Sequence, residues 1–226
     1  MTAAPNAAPT LAEVAPSDRA SAWYKWSRGL TAAALQSMLY FGINHAHLTR
    51  STELLRTRWD DAIPFWTWTS WFYLPFYAAI FIICMAGFRS RRLYNRALLA
   101  VLIVAVVGAT GHILIPATYP RPVLQPPYGD LSTTFMAFVQ RIDLPGNVFP
   151  SLHVAQTSML AFLLYRDRRG LGTITIVMAA LLALSTLTTK QHFIADVISG
   201  YALAFAACAA VLWRFPRTVP SSPPPP

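Results

Sequence analysis

The chain has 226 residues, of which 55% are hydrophobic and only 12% charged, with a formal charge of +9 and a mean hydropathy of +0.42. Soluble domains are about 25% charged, so half that fraction argues against a soluble core and for a membrane protein. The positive charge is not gathered into Lys/Arg blocks interleaved with aromatics, which sets a nucleic-acid partner aside and leaves membrane topology as its meaning.

The first twenty or so residues, MTAAPNAAPTLAEVAPSDRA, are rich in Ala and Pro and lack a basic start followed by an apolar core. They read as a disordered tail over 1–22 and not as a cleaved signal. A second tail, ending VPSSPPPP, covers 216–226. Between them, 23–215 reads as one all-α membrane domain with no internal repeat.

Crossing about 30 Å of hydrocarbon takes roughly 17–25 apolar residues. Six runs qualify as candidates: about 27–48, 66–88, 97–117, 151–165, 171–188 and 194–213. The first is weakened by Gln36, Asn44 and His45, and the fourth is short. The other four are unambiguous. Cys84 and Cys208 fall inside apolar runs and are expected to be small buried hydrophobes, not a disulfide.

Six spans with a cytoplasmic N-terminus put twelve Lys and Arg residues inside and six outside. Both termini are therefore expected in the cytoplasm. The same parity places the 118–150 loop, the start of the fourth helix and the turn before the sixth on one extracytoplasmic face. The loop opens with YPRPVLQPP and continues into DLSTTFMAFVQRID, where Phe135, Met136, Phe138, Val139 and Ile142 recur at helical spacing. That spacing predicts a short helix along the membrane surface. The aromatic run IPFWTWTSWFYLPFY at the outer start of the second span reads as an interfacial belt. Asp60 and Asp61 either orient an active-site base or solvate the loop, with solvation the favoured reading, and His45, His47 and His112 read as structural.

Two stretches carry chemistry. In NVFPSLHVAQT, Ser151 is expected to cap a helix whose first amides have no partners of their own, and His153 lies in that first turn. Such an end attracts phosphate. In LTTKQHFIAD, His192 and Asp196 are four apart and share a helical face, with Lys190 alongside. A carboxylate on one imidazole nitrogen fixes the tautomer and leaves the other as base, nucleophile or metal ligand. Charged groups at membrane depth cost on the order of 2.5–3.5 kcal/mol at the helix centre, which makes this cluster a functional candidate. With Arg121 on the same face, the set suits phosphoryl transfer without a metal. A metal site built from His153, His192 and Asp196, and a non-catalytic lipid-binding protein whose polar turns hold helices together, remain the rival readings.

At these residues the sequence resembles the type 2 phosphatidic acid phosphatase superfamily, which includes vanadium haloperoxidases and inositol phosphorylceramide synthases. Its motifs are Lys-x6-Arg-Pro, Pro-Ser-Gly-His and Ser-Arg-x5-His-x3-Asp. Arg121-Pro122 matches the end of the first, Pro150-Ser151-Leu152-His153 the second except at glycine, and Ser185 to Asp196 the third, with Thr186 where arginine is usual. Leu114 holds the first-motif lysine position, so two phosphate cations are missing. Leu152 and the Ser-Thr start of the third motif look most like the inositol phosphorylceramide synthase branch. The resemblance implies His192 as nucleophile, Asp196 as its orienter and His153 as the acid for the leaving alcohol. It also implies Arg121, Lys190, Ser151 and the amides near Leu152 as phosphate ligands, with Lys190 standing in for a missing cation. It implies no cofactor and no metal, a phospholipid or lipid-linked phosphate as substrate, and a cell membrane with the site facing outward. The choice between phosphatase and phosphotransferase, the substrate and the oligomeric state stay open.

Overall fold

Helix is the only regular element among the described residues, which in this computed structural model are 18–46 and 55–213. The two tails' outer parts, 1–17 and 216–226, lie outside them, as do His47 and the arginines at 50, 214 and 217. The order is α1 Ala22–Ala46, α2 Arg58–Ala62, a 3-10 turn Thr67–Thr69, α3 Ser70–Gly87 and α4 Arg91–Leu114. After these come α5 Leu131–Ile142, α6 Leu152–Asp167, α7 Arg169–Thr188 and α8 Ile194–Trp213.

Four segments are long and apolar enough to cross a membrane: Thr67–Gly87, Arg91–Leu114, Arg169–Thr188 and Ile194–Trp213. They are the four unambiguous runs of the sequence, consistent with an integral membrane protein. Their outward faces carry exposed apolar side chains at helical spacing. Leu99, Leu102 and Val106 do so on α4, Ile174, Val177, Leu181 and Leu184 on α7, and Ile198, Tyr201 and Phe205 on α8. Such continuous stripes are what lipid solvates and water does not.

The two weaker runs differ for physical reasons. α1 has 25 residues but turns Gln36 and Asn44 into the bundle. α6 has only 16 residues, and eleven are buried, Gln156 and Thr157 among them. It is the central post, packed by α3, α4, α7 and α8, so its surroundings are protein and its polar residues need partners more than apolarity. Cys84 and Cys208 are buried free thiols in the same core.

The expected surface helix is α5, capped by Asp130, whose side chain accepts from the Thr133 amide at 2.9 Å. It buries Met136 and Val139 against Tyr73 of α3 and leaves Leu131, Phe138 and Ile142 exposed. Trp71 stacks on Phe135 at 4.2 Å and 7°, which ties the aromatic run to this helix.

Candidate active site

The turn that presents His192 is a helix C-terminus. α7 ends with Lys190 in the left-handed region at φ 56°. The Gln191 amide donates to the Thr186 carbonyl at 2.9 Å and the Lys190 amide to Leu187 at 3.2 Å, the paired bonds of a Schellman cap. The His192 amide also reaches the Thr186 carbonyl, at 3.2 Å. Thr186, fully buried where the family arginine is usual, therefore shapes this turn. The left-handed backbone costs a non-glycine residue about 1–2 kcal/mol. The lysine's ammonium offsets that cost by donating to the carbonyls of Asp60 at 2.9 Å and Ile63 at 2.5 Å. Burial pulls its pKa down, against the opposing pull of Asp60 and Asp61. The expected substitute cation is thus engaged on the segment before α3.

That segment overturns one expectation. Asp61 does pair at the surface with Arg56 Nε at 2.8 Å, but Asp60 is buried. Its Oδ1 accepts from the Ile194 amide, the first of α8, at 2.8 Å, and its Oδ2 from the Thr57 amide and hydroxyl at 2.8 and 2.6 Å. A helix start next to the apolar Phe193 needs an acceptor, and Asp60 supplies it from 134 residues away.

His192 is buried, and its Nδ1 is 3.0 Å from the Val148 carbonyl. A carbonyl only accepts, so Nδ1 carries the proton and Nε2 presents its lone pair. Nε2 makes no hydrogen bond among the described residues. The expected orienter, Asp196, is second in line: its Oδ2 is 3.5 Å from Nδ1 and closer, at 2.7 Å, to the Phe193 amide that it caps. Asp196 is itself fully buried.

His153 reaches the same place from α6. Ser151 is the expected cap, its side chain accepting from the Val154 amide at 3.4 Å, which leaves the amides of Leu152 and His153 as the open end of the helix. The Ser151 amide donates to the Asp196 carbonyl at 3.1 Å, so the starts of α6 and α8 are bonded side by side. Gly200 permits this approach: a Cβ there would lie 2.7 Å from the Ser151 carbonyl oxygen. Leu152, in the family's glycine position, lies over Gly108 of α4, where a Cβ would overlap its side chain. His112 bonds the Pro150 carbonyl through Nε2 at 3.1 Å, a structural contact. The rings of His153 and His192 end up 5.9 Å apart, inclined at 60°.

Around His153 stand Tyr73 and Tyr77, each 4.8 Å between ring centroids, and Tyr40 at 6.3 Å. The Tyr73 hydroxyl donates to Asp143 Oδ2 at 2.6 Å and Tyr40 to Oδ1 at 2.8 Å. Arg121 Nη2 is 3.9 Å from the same carboxylate and donates to the Leu144 carbonyl at 3.1 Å, while Nη1 donates to the Asp143 carbonyl. Arg121 Nε is buried without a hydrogen bond. Burial pushes the Asp143 carboxyl up, but the charges of His153 and Arg121 and the two tyrosine hydroxyls outweigh it and hold it below the usual range. Leu114 is exposed at the end of α4 and brings no cation.

His153, His192, Asp196, Ser151 and Leu152 therefore meet, with Arg121 linked to them through Asp143, while Lys190 braces the turn from outside. Asp143, the three tyrosines and Asp60 are not evident from motif spacing. The sign of two of them is Tyr73 and Tyr77, four apart and so on one face of an aromatic run. Among the described residues, no three His, Cys, Asp or Glu side chains gather as a metal site requires.

The described residues thus form an all-helical bundle with four segments apolar enough to cross a membrane and two imidazoles brought together at one helix N-terminus. The model of the PAP2 superfamily matches residues 33–210, and the chain belongs to that superfamily. Its members are typically phosphatases, which supports a phosphatase-type enzyme here. An uncharacterized protein of Methanocaldococcus jannaschii, MJ0662, is 35% identical over 75 residues, which span 33% of this chain and 29% of that protein. No solved structure matches.

Proposed function

We propose that this protein is an integral-membrane lipid phosphatase or phosphotransferase that works through a phosphohistidine. The observation that carries the reading is the 5.9 Å separation of the His153 and His192 rings beside the open start of α6, close enough for both imidazoles to reach one phosphate lying along their shared edge. His192 Nε2 attacks phosphorus and the bond to the leaving oxygen breaks. His153 gives that oxygen a proton. Water or an alcohol then attacks, the P–N bond breaks, and His153 takes the proton back. The amides of Leu152 and His153, with Arg121 turned from its carbonyls, neutralise the equatorial oxygens.

The topology belongs to the same reading: α1, α3, α4, α6, α7 and α8 all cross, both termini are cytoplasmic, and the site opens outward. The two-to-one division of basic residues supports it. Transfer to an alcohol, as in the inositol phosphorylceramide synthase branch, is the second form, favoured by Leu152 and by the Ser185-Thr186 pair. A panel of radiolabelled phospholipids given to the purified protein tests both. Inorganic phosphate marks a phosphatase, and label on an added polyol or lipid hydroxyl marks a transferase. Neither product from any lipid, with the protein folded, defeats the proposal.

A further inference from the structure

Three aspartates among the described residues are buried, and each accepts from backbone amides at a helix start, while the side chain of a fourth, Asp143, is 13% exposed. Asp60 accepts from the Ile194 amide, Asp167 from the amides of Arg89 and Ser90, and Asp196 from Phe193. Asp143 caps nothing with its side chain. Its two carboxylate oxygens take the hydroxyls of Tyr73 and Tyr40, and Arg121 stands 3.9 Å away. A carboxylate this close to a phosphate site repels the substrate, so its presence asks for a use.

The hydrogen-bond directions supply one. Tyr73 has a single hydroxyl proton, and at 2.6 Å it goes to Asp143. Toward His153 the same oxygen can only accept, and it is 3.3 Å from Nδ1 and 3.2 Å from Nε2. That oxygen is almost equidistant from the two nitrogens, so it lies against the ring between them and leaves both N–H directions open, one of them to the leaving oxygen. The hydroxyl turns its proton to the carboxylate and its lone pairs to the ring, and lone pairs backed by a negative charge favour the protonated imidazole.

Resting on the phosphohistidine reading above, we infer that Asp143 is the positioning residue for His153, acting through the Tyr73 hydroxyl to favour the protonated form of that imidazole and to hold its ring at the leaving oxygen. Tyr40 steadies the far oxygen of the same carboxylate and Arg121 balances its charge. Asp143 stays ionised throughout. The proton lost to the leaving oxygen comes from His153 and is restored from the incoming water or alcohol.

Leaving-group dependence tests this, because an alkoxide must be protonated as it leaves whereas a nitrophenolate leaves unassisted. The quantity compared is kcat/KM, which ends at phosphoryl transfer to His192 and so leaves out the later step in which His153 takes a proton back. It is measured on phosphatidic acid and 4-nitrophenyl phosphate for the full-length protein, Asp143→Asn, Tyr73→Phe and His153→Ala. Loss of an acid costs about 10²–10⁴-fold, and His153→Ala should show it on the lipid only. Asp143→Asn and Tyr73→Phe should share that selectivity, losing at least about tenfold on phosphatidic acid and less than about threefold on the aryl ester, smaller than the full acid effect because His153 remains. Equal losses on both esters in the two variants would mean that Asp143 only braces Arg121 or the fold, and would overturn the inference. If Asp143→Asn does not fold, Tyr73→Phe alone decides. Where another phospholipid of the panel is the one turned over, it replaces phosphatidic acid in this comparison, and a wild-type protein that turns over none of them removes the underlying reading, and the inference with it.

Discussion

The two histidines of the site are held in opposite ways. His192 is fixed by backbone: a Schellman turn carries it, the Val148 carbonyl accepts from its Nδ1–H, and Asp196 stands behind. His153 is held by side chains, ringed by three tyrosines and tied to a carboxylate through one hydroxyl. A nucleophile must present one lone pair in one tautomer, and main-chain acceptors cannot titrate. An acid must give and regain a proton, so it sits in a network that can redistribute charge. The difference in support fits the difference in task proposed for them.

The comparison breaks most severely at the nucleophile. His192→Ala removes the covalent route, so turnover should fall by more than the roughly 10²–10⁴ expected for losing an acid, measured as phosphate release from labelled lipid. Residual activity within about tenfold of wild type would put the nucleophile elsewhere.

Next is the backbone contact that brings the rings together. Gly200→Ala drives a Cβ into the Ser151 carbonyl and must part α6 from α8. A misplacement of about 1 Å can cost about 10²-fold, so activity should drop steeply in protein that remains folded by circular dichroism. Unchanged kcat would show that the spacing of the two helix starts does not matter.

Asp60 tests whether the nucleophile's turn depends on its distant cap. Asp60→Ala leaves the Ile194 amide without its acceptor, at a cost of about 1–3 kcal/mol, visible as a lower Tm in detergent. No change in Tm would mean that the cap is replaced by solvent.

Acid titration sharpens the other half. Asp143 has a folded pKa below that of the unfolded carboxyl, about 3.9, so the stability it contributes is complete above that value and is lost as pH falls through the lowered folded pKa. Asp143→Asn should remove this acid-side loss from the Tm–pH curve. Identical curves would disprove the coupling.

The smallest effect is expected at Lys190. Its ammonium holds carbonyls of the neighbouring segment and not the imidazoles' substrate, so Lys190→Ala should keep kcat within about threefold while lowering stability by about 1.5–3 kcal/mol, as for bonds to a charged donor. A loss near that of His153→Ala would return Lys190 to the phosphate.

Much of this was legible from the chain. The four apolar runs, the amphipathic helix at 131–142, the Ser151 cap and the convergence of His153 with His192 and Asp196 all follow from local pattern or motif order. What was not legible depends on partners far apart in sequence. Asp60 looked like a loop carboxylate because nothing near it in sequence shows that Ile194 needs an acceptor. Lys190 looked like a catalytic cation because a positive charge near a histidine reads the same whether its ammonium faces a phosphate or two carbonyls. Asp143 and its tyrosines come from three different segments, and hydrogen-bond direction exists only once they are packed.

The central claim is that His192 takes the phosphoryl group while His153 faces it across the same gap. Rapid alkaline quenching of the purified protein during turnover of labelled phosphatidic acid, followed by peptide mapping, addresses it directly. An acid-labile, base-stable phosphate on the peptide containing His192, absent from His192→Ala, is the predicted result. Continued turnover with no labelled histidine, or with the label on another residue, would contradict it.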